Sequence, residues 1–430
     1  MQKLKKNYEA LKRELKLKMK SFDYSKIKDK RGASIELDRK IKVAHIIARM
    51  ITGGADENTL FTMEGLDKNK YEIDLITGEK FDKSILNKVK NNHFDIIQIK
   101  GLKWKLNFLY DPIILIKLIK LLKENHYDIV HTHTTKAGIL GRIAAHMAGV
   151  PIIIHGLHGS TFQAFNSGLL NWFLFLFERL TGRFTDAYIS VSGVLSEKYI
   201  EKGIGKKENY HTVYSGMDLE TFYGVREKID CKKKQRELGI NSGDFVIGNV
   251  ARLETRKGHK FLIDAFKKAD EKRKECPLKL LIVGEGNKRK DLESYVKELN
   301  FESKVIFSGY REDVEELMAI MDIFVLTSLR EGLPRVLVQA AAAGVPSVAF
   351  NVDGVPEIIR DNYNGFLVKA EDVKQLTKRI IQYIDHEELL ALHGKNGREL
   401  IKGKWSVEDM IGKIDKIYQN LVREKLREIE

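Results

Sequence analysis

The sequence predicts an α/β protein built from two Rossmann-like domains whose parallel sheets face each other across a cleft. Three observations carry this. Short β-branched and aromatic runs alternate with helical patterns, as in parallel sheets covered on both faces. The alternation starts afresh after a charged stretch, poor in apolar runs, at 218–243. The 430 residues also exceed the length at which a single core stops growing.

Before the first strand lies a basic extension, residues 1–40, with 14 Lys/Arg against 6 Asp/Glu, a net of +8 out of +14 for the chain. Leu4, Tyr8, Leu11, Leu15 and Met19 recur there at helical spacing, with lysines on the other face. Such a helix can lie on an anionic membrane surface, at about 1 kcal/mol per basic residue. A solvated or coiled-coil extension fits as well. Nucleic acid is disfavoured, because no aromatic-basic platform accompanies the charge. The start is basic but lacks the apolar region of a signal peptide.

No apolar run reaches the roughly 18 residues of a spanning helix. Hydrophobic content of 43% and a mean hydropathy of −0.29 read as soluble and globular. Cys231 and Cys276 supply neither a disulfide framework nor a metal motif, which suits a reducing cytoplasm.

The first domain is predicted over 41–217. Its strands are Lys42–Ala48, Glu72–Thr77, Phe94–Gln98, Tyr127–His131, Pro151–His155, Asp186–Ser190 and Tyr210–Tyr214, with helical patterns at 83–91, 111–125, 137–148 and 193–202. Gly53 and Gly54 sit between first strand and first helix, where a doubly wound sheet cradles phosphate, although a turn needing positive φ explains them equally. Polar residues follow later strand ends. His131 and His133 alternate on one strand, but no third ligand at a telling spacing supports a metal. His158, between Gly156 and Gly159, is the better functional candidate, with a structural histidine as the alternative. Phe162–Phe177 is the most aromatic segment. Core packing is its default reading, and an apolar ledge for a lipid-like acceptor or a membrane the other.

After the linker, in which 227–237 reads as a surface helix, the second domain is predicted over 244–404. Its strands are Phe245–Ala251, Leu278–Val283, Lys304–Phe307, Asp322–Thr327, Ser347–Phe350 and Gly365–Val368, each but the last two followed by a long helix. Arg252, Arg256 and Lys257 with Gly258 follow the first of these, a cation group suited to a diphosphate. Gly284 and Gly286 permit close approach, and Tyr310 stands at a strand end where main-chain groups can read a base edge. From Trp405, Val407, Met410, Ile414, Ile417, Tyr418 and Leu421 mark a terminal amphipathic helix over 406–425.

Ser328–Pro346 organises the rest. A buried strand runs into Glu331-Gly332-Leu333-Pro334, Pro334 starts a helix, and Gly344 ends it. Helix N-termini favour anions. A carboxylate beside one makes sense as an acceptor for ligand hydroxyls, with phosphate held further along. Hydroxylated and phosphorylated describes a nucleotide sugar.

These residues resemble the retaining glycosyltransferases of family 4, which have the double-Rossmann GT-B fold. The likeness runs from Lys42 to Leu421 and rests on Glu331–Pro334 with Ala340–Pro346, Arg252-Leu253 with Lys257-Gly258, and Gly53-Gly54-Ala55. It implies that Arg252 and Lys257 hold a donor diphosphate and that Glu331 bonds donor sugar hydroxyls. Backbone groups near Gly332, Leu333 and Pro334 would assist, as would Gly53 and Gly54. His158 would lie near the transferred sugar, Tyr310 near the base, and the terminal helix would cross back onto the first domain. One departure stands out: where the family carries a second glutamate for the ribose, this chain has Gln339. Glutamine can still bond a hydroxyl, without charge assistance.

The implied reaction moves a sugar from a nucleoside diphosphate to an acceptor hydroxyl of a glycan or a lipid-linked glycan, with retention. No cofactor is expected. No Asp-x-Asp occurs, so cations in place of a metal would stabilise the leaving diphosphate. The expected setting is the cytoplasm or the cytoplasmic membrane face. Two rivals are a nucleotide-sugar epimerase of the same fold, which needs no acceptor, and a non-catalytic membrane-associated binding protein. A nicotinamide oxidoreductase is disfavoured by the missing dinucleotide fingerprint.

Overall fold

The computed structural model describes residues 39–51, 53–82, 94–104, 107, 109–159 and 168–426. The expectations for 1–40 and 83–91, and Phe162 and Phe165 of the aromatic segment, therefore lie outside the described residues, apart from Arg39 and Lys40.

Seven parallel strands form the first sheet: β1 (Ile41–Ile47), β2 (Tyr71–Thr77), β3 (Asp95–Gln98), β4 (Ile129–His133), β5 (Ile152–Leu157), β6 (Ala187–Ser190) and β7 (Tyr210–Thr212). Their order is β3-β2-β1-β4-β5-β6-β7. Strands β4 and β5 are buried at every position, as strands of a doubly covered sheet should be, their histidines included. Between them run helices α1 (Gly54–Gly65), α2 (Asp111–Asn125), α3 (Thr135–Ala148), α4 (Gly168–Thr181) and α5 (Gly193–Glu201).

The connector holds two short helices, α6 (Val225–Lys228) and α7 (Cys231–Glu237), where one was expected. Asp230 breaks the run: its side chain accepts the Lys233 N–H at 2.9 Å and caps the second helix.

The second sheet joins β8 (Phe245–Val250), β9 (Leu278–Val283), β10 (Val305–Gly309), β11 (Ile323–Leu326), β12 (Ser347–Phe350) and β13 (Gly365–Val368) in the order β10-β9-β8-β11-β12-β13. Its helices are α8 (His259–Lys272), α9 (Arg289–Glu298), α10 (Val314–Ala319), α11 (Arg335–Ala343), α12 (Val373–Asp385) and α13 (Glu387–Ile401). Two connections depart from expectation. β10 is followed only by the six-residue α10, because the link to β11 is short, and β13 is followed by the long α12.

Finally α14 (Val407–Leu426) returns to the first domain. Met410, Ile414, Tyr418 and Leu421 are buried there among Val43, Leu60, Ile129 and Ile154. Trp405 packs against Tyr214, ring centroids 4.2 Å apart and tilted by 35°, where the chain crosses.

The described part of the aromatic segment, in α4, does not pack as core. In α4 only Leu174, Glu178 and Thr181 are buried, while Leu169, Trp172, Phe173, Leu176, Phe177 and Leu180 are exposed. The stripe the helix buries carries Glu178 and Thr181 beside Leu174, and the large apolar side chains face outward. It is held to α3 by the fully buried Arg142–Glu178 pair at 2.6 Å.

In each sheet the strand order reverses beside the first strand, between β1 and β4 and between β8 and β11. Ligands of open α/β sheets bind beyond the carboxyl ends at such points.

Candidate active site

Each reversal point places sequence-predicted residues beyond its strand ends, and the two domains touch there. On the second domain, Gly258 takes a left-handed φ of 65°. A Cβ on it would lie 2.1 Å from the Thr327 carbonyl oxygen, so the cation loop packs tightly on the end of β11. That packing sets Lys257 Nζ 2.6 Å from Glu331 Oε1, in a largely buried ion pair. Arg252 stays half-exposed, 3.5 Å from Glu254. Gly284 and Gly286 let this loop pack closely, since a Cβ on either would strike the Ala251 or Leu253 backbone oxygen.

Beyond β11 the Glu331 N–H donates to Asp353 Oδ2 at 2.6 Å. Leu333 is buried, and Pro334 occupies the N-cap of α11. Gly344 closes that helix at φ 76°. Gln339, half-buried, makes no side-chain hydrogen bond among the described residues. Tyr310 is exposed beyond β10.

Gly332 has a packing role between the domains. A Cβ there would lie 2.2 Å from the His158 carbonyl oxygen, so its bareness lets the two domains meet backbone to backbone. Around it Lys198 pairs with Asp353, and Glu357 accepts the Gly193 and Val194 N–H groups at 3.1 Å each, at the N-terminus of α5. Arg335 pairs with Glu57 of α1.

On the first domain Gly53 is extended at φ 168° and Gly54 begins α1, so positive φ is not what these glycines provide. They leave the turn open toward α11, where the Arg335 side chain lies 3.4 Å from a Cβ built on Gly54. Burial pushes the neighbouring Asp56 carboxyl up to about 6.

His158 belongs to a cluster. His131 lacks a third metal-binding partner in sequence, yet β1 pairs with β4 so that His45 sits opposite it. Ring nitrogens of His45, His131 and His133 lie within 4.8 Å of one another. They are already engaged: His45 Nδ1 with His133 Nε2 at 2.9 Å, His133 Nδ1 with His158 Nε2 at 3.0 Å, and His131 Nδ1 with the Tyr418 hydroxyl at 2.7 Å. A metal would have to break these bonds. Burial pushes His158 down to about 4 and His45 to about 3, and His131 and His133 well below the usual range, so the rings are neutral at pH 7.

Two family models match the chain, Glycosyltransferase Family 4 over residues 52–221 and Glycosyl transferases group 1 over 230–400. The chain belongs to the family 4, group 1 glycosyltransferases. Among curated relatives of this glycosyltransferase, the Escherichia coli UDP-Gal:alpha-D-GlcNAc-diphosphoundecaprenol alpha-1,3-galactosyltransferase is 29% identical over 387 residues, 90% of this chain and 98% of that one. EpsD of Bacillus subtilis is 32% identical over 294 residues, 66% of this chain and 74% of it. The capsular polysaccharide biosynthesis glycosyltransferase CapM of Staphylococcus aureus is 27% identical over 368 residues, covering 84% and 93%. Anabaena HepE, solved in complex with UDP, superposes with a TM-score of 0.73 at 23% identity, covering 89% of this chain and 100% of that one. The fold is GT-B.

Sequence reasoning missed several residues at this glycosyltransferase's cleft. His45 and Tyr418 are far from His133 and His158 in the chain, and no local signal links them. Lys198 and Asp353 are ordinary surface types until the domains meet.

Proposed function

We propose that this glycosyltransferase takes a sugar from a nucleoside diphosphate donor and transfers it, with retention and without a metal, to a hydroxyl of a lipid-linked glycan at the cytoplasmic face of a membrane. The observation that carries the reading is the Lys257–Glu331 pair at 2.6 Å beside the N-cap of α11. The pair fixes a carboxylate able to accept sugar hydroxyls next to an ammonium and a helix N-terminus able to neutralise diphosphate oxygens. Arg252, half-exposed at the neighbouring strand end, adds a planar fork for the departing charge. Retention rests on the family, and metal independence on these cations and on the lack of an Asp-x-Asp motif.

The name of the Escherichia coli relative supports a lipid-linked acceptor, and UDP in the Anabaena neighbour supports a uridine donor. A surface feature adds to this. Of the fourteen exposed large hydrophobic residues among those described, eleven lie at 104–116 and 169–180. They fall on and just before α2 and on α4, which flank α3 on one side of the first sheet. Exposed Lys117, Lys120, Lys123, Arg179 and Arg183 surround them, as an anionic lipid surface would require.

Thermal shift with UDP-, GDP- and ADP-sugars tests the donor: one of them should raise the melting temperature. Glu331→Ala should then lower transfer at least 100-fold, and a variant with wild-type turnover would sink the assignment. Activity should survive EDTA. Incubation with donor alone distinguishes an epimerase, which would convert it.

A further inference from the structure

We propose that His158, His133, His45, Tyr418 and His131 form one hydrogen-bonded relay, through which a tyrosine of the C-terminal helix sets which nitrogen of His158 carries its proton. The links run His158 Nε2 to His133 Nδ1 (3.0 Å), His133 Nε2 to His45 Nδ1 (2.9 Å), His45 Nε2 to the Tyr418 oxygen (3.5 Å), and that oxygen to His131 Nδ1 (2.7 Å).

The geometry is that of hydrogen bonds and not of a vacated coordination sphere. Ring centroids are 5.2 Å apart for His45–His133 and 5.3 Å for His133–His158. Each is little more than its N···N distance plus one ring radius at either end, so the nitrogens point straight at each other. Around a shared metal the ring axes would instead converge on a third point. Room for this row is built in. A Cβ on Gly156 would lie 2.8 Å from His133 Nδ1, 3.0 Å from His158 Nε2 and 3.2 Å from His131 Nε2.

A neutral imidazole holds one N–H, donating at one nitrogen and accepting at the other. The row therefore has two polarities. In one, His158 Nε2–H donates to His133, His133 to His45, His45 to the tyrosine oxygen, and the Tyr418 O–H to His131. His158 Nδ1 is then an acceptor and His131 Nε2–H a donor. In the other polarity every bond is reversed. Switching moves one proton along each link: His158 Nδ1 gains one, His131 Nε2 releases one, and no ring is left charged. Both end atoms are buried and have no hydrogen-bond partner among the described residues, and His158 and His131 line one small cavity of about 20 Å³ together with Asn58, whose Oδ1 likewise has no described partner. That is room for about one water molecule.

His158 lies at the domain contact, its carbonyl against Gly332. Its bearing on transfer rests on the site proposed above, whereas the relay itself does not. Tyr418, His45 and His133 are thus positioning residues. The test is ¹⁵N NMR of protein labelled in the histidine rings, without substrate, with the His158 signals identified by their loss in His158→Gln. In Tyr418→Phe the oxygen is gone and the row is cut two rings from His158. The His158 Nδ1 and Nε2 shifts should move toward a different tautomer balance. If only His131 and His45 signals move, the relay is overturned. His45→Asn, which keeps a polar group for His133 and severs the tyrosine, gives the same reading should Tyr418→Phe not fold. As no donor is needed, failure here is separable from failure of the proposed transfer.

Discussion

Buried neutral histidines make the molecule acid-sensitive in a defined direction. His45, His131, His133 and His158 are held below the unfolded value of 6.5 by burial, His158 at about 4. Below pH 6.5 the unfolded chain binds protons that the folded chain refuses, so stability is intact above that pH and is lost as pH falls toward 4. Each ring that stays neutral costs about 1.4 kcal/mol per pH unit in that window. Unfolding free energies from urea titrations should therefore fall by several kcal/mol between pH 7.5 and 5.5, and by less in a His131→Asn variant. At this scale the sequence is legible where one residue type has one use. Glu331, Lys257 and Gly258 can be read because strand, turn and helix-start signals surround them within a few positions. The His45–His133 bond cannot, since it depends on the β1–β4 register across 88 residues. Gly332 shows a subtler limit: its lack of a Cβ is needed for the other domain's backbone, a demand that no local signal announces.

Among the elements, α4 depends on its anchor. Arg142 and Glu178 are both fully buried, so Glu178→Ala leaves a guanidinium in the interior without its counter-ion. The cost should be about 3–5 kcal/mol, read as a lowered melting temperature. Replacing both partners by Met and Leu should recover most of it, because a buried pair adds little over well-packed apolar groups. On the other flank of α3, Lys136 and Asp111 pair at 2.5 Å, tying it to α2. The sheets were readable because parallel strands covered on both faces are uninterrupted apolar runs, as in β11 and β12. Helix α4 was not, because the stripe it buries carries Glu178 and Thr181 beside Leu174, while the aromatic side chains that read as core face outward. Nor was the break between α6 and α7, where one capping aspartate outweighs a continuous charged pattern.

For the whole molecule, the exposed aromatic and aliphatic residues of α2 and α4, with their lysines and arginines, give one side a character that the rest of the described surface lacks. Trp172→Glu combined with Phe177→Glu should abolish sedimentation with phosphatidylglycerol vesicles while leaving the melting temperature within about 2 °C, as both side chains face solvent. Binding that survives the double variant would put the membrane contact elsewhere, and deletion of residues 1–40 would then locate it.

Helix α14 has a consequence in time. The core of the first domain includes Met410, Ile414, Tyr418 and Leu421, made long after β7 closes its sheet at Thr212. At about 5–20 residues per second, roughly 10 to 40 s of synthesis separates them. Throughout that interval Val43, Leu60, Ile129 and Ile154 lack their final cover, so the nascent first domain is a client for whatever shields apolar surface at the ribosome. It settles into its final packing only after the second domain has been made.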